Sequence, residues 1–416
     1  MTNRDKGMKK LLILGAGTAG TIMANKMRKS LSVNEWNICL VDKHESHYYQ
    51  PGFLFVPFGI YSAKDVIKPK KQFIDKGIDI LFEGIDKIDP VEKNVLLENG
   101  RQLSYDYLII ATGARIVPSE TPGLKGDLWY KKIFDFYTPE GSVALAKFFK
   151  NWQGGELVIN IAEQPIKCPV APLEFAMLAD SYFTKKGIRD KINISYVTPL
   201  SAAFTKPKAS AVLGSLLEKK NINIVPDFYL SEIDNENQKI IDYGGKEVKF
   251  DVLISIPVHM GSELIERSNM GDDLFFVPTD KYTLRSQKYE NIFVLGDASN
   301  IPASKAGSVI HFAADVVEKN LLSSILGKPL EAKFDGHANC YVETGHGKAA
   351  LIDFSYETEP MEGTYPLPFL GPFRLLKESW LNHLGKLSFR WIYWYILLKA
   401  RHLPVSNAMS MAGKRV

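Results

Sequence analysis

Leu11-Leu12-Ile13-Leu14-Gly15-Ala16-Gly17-Thr18-Ala19-Gly20 reads as a strand that runs directly into a tight turn and a helix. Four consecutive apolar residues are the pattern of a central parallel strand covered on both faces. The spacing of Gly15, Gly17 and Gly20 suits a sharp turn, close backbone approach to a pyrophosphate, and close packing of helix on strand. A helical pattern continues to about Arg28, and Asn37–Val41 reads as a second strand ending at Asp42, with Lys43 beside it. An acid at that position would bind a ribose hydroxyl. A lone glycine fingerprint can be an ordinary turn, but strand, helix and acid in register specify a nucleotide-binding βαβ unit.

Working outward, Tyr107–Arg115 (YLIIATGAR) is a strand entering a Thr-Gly turn, and Asn291–Asn300 (NIFVLGDASN) is a strand ending in Gly296-Asp297. With the first fingerprint, these resemble the flavoproteins built on two dinucleotide-binding domains. The resemblance implies FAD as cofactor, contacted by Gly15, Gly17, Gly20, Asp42, Lys43, Pro51, Ala111, Thr112, Gly113, Gly296, Asp297 and Lys305. Asp297 would hold the ribityl chain, and the helix after it would aim its positive end at the flavin. The implied fold is α/β, with two Rossmann-like domains, the second inserted in the first. Residues 1–135 and 278–360 are expected to form the FAD-binding domain and 136–277 the insertion. Residues 361–416 are expected to form a C-terminal amphipathic helical region that associates with membrane.

Glu156–Ile161 (ELVINI) reads as the first strand of the inserted domain, where a nicotinamide-binding loop would follow. Ala162–Pro169 (AEQPIKCP) contains no glycine for phosphate approach, and its two prolines remove backbone donors. NAD(P)H is therefore not an expected partner.

Bulk properties narrow the classes further. The 416 residues, 45% hydrophobic and 24% charged, suffice for two domains and an appendage. A net charge of +4 gives no reason to expect nucleic-acid binding, and its distribution is uneven. Residues 370–416 hold eight Lys or Arg against one Glu, an excess of seven, so the rest of the chain carries −3. Three cysteines (Cys39, Cys168, Cys340) make no disulfide scaffold and match no zinc spacing, so no metal is expected. MTNRDKGMKK runs straight into the first strand, which predicts no signal peptide. No uncharged apolar run approaches the ~18 residues of a spanning helix.

The sequence resembles the sulfide:quinone oxidoreductase family over nearly its whole length. The resemblance is carried by His47-Tyr48-Tyr49-Gln50-Pro51, PIKCPVAP around Cys168, NIPASKA from Asn300 to Ala306, HANCYVETGHGKAALIDF around Cys340, and the basic, aromatic tail. It implies that Cys168 and Cys340 form the redox pair beside the flavin. Hydrosulfide attacks their disulfide, leaving a persulfide on one sulfur and a thiolate on the other, and two electrons pass to the flavin. Many bacterial members carry a third cysteine before the inserted domain. Here none lies between Cys39 and Cys168, so the FAD is expected to be non-covalent. Cys39, within a strand, reads as a small structural hydrophobe. Lys305 is expected near the flavin pyrimidine, where a cation stabilises the reduced ring. Glu174, six residues after Cys168, matches an acidic position of bacterial members and could move protons. His259 and His311 read as structural.

Residues 369–403 interleave Trp, Phe and Leu with basic residues and hold three of the six tryptophans (Trp380, Trp391, Trp394). That composition, too short to span, suits interfacial helices of a peripheral (monotopic) protein on a lipid bilayer surface. A membrane quinone would then be the acceptor, approaching the flavin opposite the cysteines, with Tyr341, Phe369 and Phe373 as wall residues. A homo-oligomer is compatible with the sequence. The competing readings are a type II NADH:quinone dehydrogenase, the flavin subunit of a cytochrome-linked sulfide dehydrogenase, and a non-catalytic flavoprotein redox sensor.

Overall fold

A computed structural model describes residues 7–368, 370–403 and 408–415. The chain starts with β1 (Lys9–Leu14), α1 (Thr18–Ser30), β2 (Trp36–Asp42), β3 (Asp79–Phe82) and β4 (Tyr107–Ile110). It then builds β5 (Ile133–Phe134), β6 (Gly155–Ile161), α2 (Ala171–Lys186), β7 (Ile192–Val197), β8 (Ile222–Val225) and β9 (Val252–Ile256), and returns as β10 (Ile292–Val294) and α3 (Gly307–Ile325). Two five-stranded parallel sheets result, in the orders β10-β4-β1-β2-β3 and β5-β9-β6-β7-β8. The first sheet thus has one strand on the far side of the insertion.

The alternation of β1 explains its uninterrupted apolar run. Leu11 and Ile13 enter the core shared with α1 and α3, whereas Leu12 and Leu14 enter a second core shared with Val95, Leu97 and Leu108. The glycines after it are spatial necessities. Gly15 has φ +91, and a Cβ on Gly20 would lie 1.8 Å from the Gly15 carbonyl oxygen.

The second sheet takes its first strand from Ile133–Phe134, slightly before the expected boundary at 136. The C-terminal region differs more. Strands β11 (Ala338–Gly345), β12 (Lys348–Phe354), β13 (Gly363–Tyr365) and β14 (Phe373–Leu375) form one mixed sheet in the order β11-β12-β14-β13, which straddles the expected boundary at 361. Its leading hairpin turns at Gly345-His346-Gly347, all with positive φ, a turn signal present in the sequence.

The tail then forms α4 (Trp380–Ile392), started by the Ser379 side chain accepting from the Asn382 amide, and a π-helical turn at Tyr393–Leu397. It is less of an appendage than its composition suggests. Trp380, Leu384, Trp391 and Tyr395 are exposed, but Tyr393, Trp394, Leu397 and Leu398 are buried in the core shared with β1 and α1. Tyr393 Oη bonds Thr18 Oγ1 at 2.7 Å and His47 Nε2 at 2.6 Å, and Trp394 stacks on Phe73 with ring centroids 5.0 Å apart. Among the described residues no helix is long and apolar enough to cross a membrane.

Candidate active site

The site is a run of three adjoining cavities. The first, a cleft at the carboxyl ends of β1, β2 and β4, is lined by Gly15, Gly17, Asp42, Lys70, Ala111, Thr112, Gly113, Gly296 and Asp297. Gly20 lies behind it, sealing α1 to the turn. The cleft fits a nucleotide pyrophosphate on three counts. A Cβ on Gly17 would meet no protein atom within 4 Å, so that face is open. The N-terminus of α1 has no side-chain cap, leaving its backbone donors free for an anion. Thr112 Oγ1 is buried there without a partner.

Asp42 is more constrained than expected. Its carboxylate accepts from the Ala16 amide at 2.7 Å and pairs with Lys70 Nζ at 2.6 Å. The adjoining Lys43 is a correction to the sequence reading. It is exposed, pairs with Glu98 at 3.2 Å and does not line the cleft, because a strand end alternates its side chains. Lys70, missed in the sequence for want of any local motif, is the cation that borders the cleft.

The middle chamber shares Thr18, Gln50, Asp297 and Ile310 with the cleft and adds Pro51, Lys167, Cys168, Glu174, Lys305, Gly307, Lys386 and Tyr393. Where a phosphate loop would join β6 to α2, the chain instead presents Cys168. Its backbone is left-handed (φ 47), a costly conformation for a side-chain-bearing residue. It is held by its amide donating to the Lys305 carbonyl at 2.7 Å and its carbonyl accepting from Ala171 at the start of α2.

Lys305 lines the chamber and is anchored to its own loop. Its ammonium donates to the Asp297 and Ser299 carbonyls (3.0 and 2.8 Å) and sits 3.9 Å from the Phe276 ring centroid, so it braces the loop after Gly296-Asp297. Three local acceptors outcompete an outward orientation. Lys167 also borders the chamber, donating to Gln50 Oε1 and the Ala114 carbonyl at 3.3 Å each.

The third cavity, of about 310 Å³, brings together Cys168, Cys340, Tyr341, Phe373, Lys386 and Phe389. Both cysteines are free thiols, and Cys340 lies on β11 with Ser308 Oγ 4.0 Å from its sulfur. Tyr341 and Phe373 form an edge-to-face pair, centroids 5.4 Å apart. Cys340 and Tyr341 are strand neighbours, and both border this cavity. Phe369 lies outside the described residues.

Glu174 and Lys386 supply the charges. Lys386 Nζ contacts Glu174 Oε1 and the Tyr341 carbonyl, both at 2.8 Å, and Glu174 also accepts from the Glu343 amide at 2.8 Å. Burial raises the Glu174 pKa, with the Lys386 charge offsetting part of the shift. Burial acts to lower that of Lys386, but the charges of Glu174 and Cys168 outweigh it and hold the ammonium protonated. Burial pushes the Cys168 thiol up and that of Cys340 up to about 11, and Lys386 opposes both shifts. Lys386 is thus the cation that would stabilise a thiolate here. Cys39 stands apart in β2, its thiol raised to about 12 by burial.

The chain is similar to known proteins over nearly its whole length. Residues 9–138 match the family model for pyridine nucleotide-disulphide oxidoreductases. The mitochondrial sulfide:quinone oxidoreductase of Dictyostelium discoideum is 32% identical over 402 residues, covering 95% of this chain and 87% of that protein. The chain belongs to the sulfide:quinone oxidoreductase family. The mitochondrial member of Mus musculus is 26% identical, with 94% and 86% covered. The crystal structure of the sulfide:quinone oxidoreductase from Aquifex aeolicus superposes with a TM-score of 0.78 at 20% identity, covering 94% of this chain and 92% of that one. Membership of this family makes the chain a flavin-dependent oxidoreductase, and the cleft of Gly15, Gly17, Thr112 and Asp297 offers the corresponding cradle.

Proposed function

We propose that this protein oxidises hydrosulfide at the Cys168/Cys340 pair, with non-covalently held FAD taking the electrons and a membrane quinone receiving them. The observation that carries the reading is the junction of β6 and α2. The segment that would bind a nicotinamide phosphate instead delivers Cys168 to a cavity it shares with Cys340, next to the nucleotide cleft. Hydrosulfide attack on the oxidised pair forms one S–S bond and breaks another, and the departing thiolate carries the electron pair. FAD supplies a two-electron acceptor that can be reoxidised by quinone. Lys386 favours the thiolate, while Pro51, Phe389 and the aromatic pair keep water from the reacting sulfur.

Tyr341 and Phe373 are proposed as walls for the quinone headgroup, and the exposed Trp380, Leu384, Trp391 and Tyr395 as the part of the tail that meets the bilayer. The domain roles follow: the β1 sheet holds FAD, the β6 sheet carries Cys168, and the β11 sheet with α4 carries Cys340 and the membrane contact. Anaerobic mixing of the purified protein with sulfide, NADH or NADPH separates the readings. Sulfide should bleach the visible flavin absorbance and quinone should restore it, whereas bleaching by either nucleotide at catalytic speed would favour the type II dehydrogenase. Acid precipitation should release the flavin to the supernatant; flavin remaining on the washed pellet would mean a covalent link.

A further inference from the structure

Lys167 and Lys305 are paired through their backbones, yet their ammoniums are held differently. Lys305 is satisfied by two carbonyls at 3.0 and 2.8 Å and by the face of the Phe276 ring. Lys167 Nζ makes two long bonds, 3.3 Å each, to Gln50 Oε1 and the Ala114 carbonyl. An ammonium carries three donors, so one N–H of Lys167 has no acceptor among the described residues, and none of their carboxylates reaches it as an ion-pair partner. Burial lowers the Lys167 pKa, and the charges of Asp297 and Asp135 oppose that shift from beyond contact distance. This is a cation in want of an anion.

Its place decides what it can meet. Gln50 and Ala114 both line the nucleotide cleft, whereas Lys167 lines the middle chamber with Cys168, so its ammonium stands where the two cavities join. A dinucleotide with its pyrophosphate at the turn of Gly15 and Gly17 has to pass that junction to bring its ring near the cysteine. The other cations of the chamber are committed, Lys386 to Glu174 at 2.8 Å and Lys305 to its own loop. The segment that replaces a phosphate loop therefore delivers two consecutive groups to the chamber, a cation and a thiol.

We propose that Lys167 supplies the positive charge that favours the reduced flavin, the task the sequence suggests for Lys305; this rests on the flavin-dependent reading above. Uptake of two electrons and one proton gives an isoalloxazine ring one net negative charge, whereas the oxidised ring is neutral. A cation in a chamber walled off from bulk water acts on that difference. It raises the reduction potential and leaves binding of the oxidised cofactor little changed. Lys167 moves no proton and forms no covalent bond in this role. Its two weak bonds within the protein make its replacement cheap for the fold.

The test is the flavin reduction potential of the full-length, flavin-loaded protein, read by absorbance against a reference dye during slow anaerobic reduction, with neither sulfide nor quinone present. Lys167→Met and Lys167→Gln should both retain flavin, and at a fixed potential their ratio of reduced to oxidised flavin should fall at least about tenfold. For a two-electron couple that is a shift of about 30 mV. Lys167→Arg, which keeps the charge, should stay close to wild type. Lys43→Met removes the same charge from an exposed pair with Glu98 and should leave the ratio unchanged. The Lys167→Met shift should also persist at high salt, since a charge inside the chamber is little screened. An unchanged ratio in both neutral variants, an equal fall in Lys43→Met, or loss of flavin from both neutral variants would overturn the proposal. A wild type that binds no flavin would instead reject the cofactor reading, and the proposal with it.

Discussion

Replacing Gly17 by valine separates holding a cofactor from holding the fold. A side chain at Gly20 would strike the Gly15 carbonyl at 1.8 Å, and one at Gly15 the Ala111 carbonyl at 2.5 Å, so both changes damage the protein itself. At Gly17 the added Cβ meets no protein atom within 4 Å, and φ −74, ψ −159 is open to any residue. Its cost to the fold is that of a poorer helix N-cap, about 1 kcal/mol. The cost to the ligand is larger, since the side chain occupies the space from which a pyrophosphate reaches the first amides of α1. Losing two charge-assisted hydrogen bonds at about 1.5–3 kcal/mol each amounts to roughly 3–6 kcal/mol. At 1.4 kcal/mol per factor of ten, that is about a hundred- to ten-thousand-fold in affinity. The assay is flavin per mole of purified protein, with thermal unfolding compared against flavin-stripped wild type so that loss of ligand stabilisation does not enter. Gly17→Val should be colourless and melt within a few degrees of the stripped protein. A yellow Gly17→Val, or one that unfolds as badly as Gly20→Val, would refute the reasoning.

Three further outcomes follow from the packing. Trp391→Ser with Tyr395→Ser should leave the flavin in place and reduce flotation with anionic liposomes, while Tyr393→Ala should lose flavin, because its hydroxyl is tied to Thr18 and His47; the reverse pattern would reassign the two faces of the tail. Deleting residues from 369 onward should give an unstable protein rather than a soluble core, since Trp394, Leu397 and Leu398 would leave an uncovered apolar surface, and a stable, flavin-containing truncation would contradict that. Burial holds His47 and His259 down to about 3, so the unfolded state binds more protons between about 6.5 and 3. Stability should fall as the pH drops through that window, by up to about 1.4 kcal/mol per unit per histidine, and His259→Gln should flatten the slope of unfolding free energy against pH; an unchanged slope would exclude His259.

What could be read from the sequence was what repeats locally. The apolar run of β1 with Gly15, Gly17 and Gly20 encodes strand, turn and helix within ten residues, and the glycine-free Ala162–Pro169 marks the missing phosphate loop just as locally. The sheet of β11 to β14 was passed over because its residues read as a cysteine motif and an amphipathic tail, although the Gly-His-Gly turn was visible. Charges whose partners lie far along the chain could not be read. Lys386 meets Glu174 across 212 positions, and Tyr393 meets Thr18 across 375, with nothing in either neighbourhood to announce the other. Lys305 shows the limit of position as a guide, since its place near the loop was foreseen but the carbonyls that capture its ammonium were not.

The central claim, that Cys168 and Cys340 act as one electrophile, is tested most directly by rapid anaerobic mixing of Cys168→Ser and Cys340→Ser with sulfide. A hydroxyl cannot form the disulfide that hydrosulfide attacks, and a single remaining thiol cannot both hold the sulfane sulfur and release electrons. Each variant should therefore retain flavin, fail to bleach with sulfide, and lose nearly as much as the double variant. Its photoreduced flavin should still be reoxidised by quinone, while Cys39→Ser should behave as wild type. Sulfide bleaching at near wild-type rates in either Cys168→Ser or Cys340→Ser would contradict the two-cysteine account.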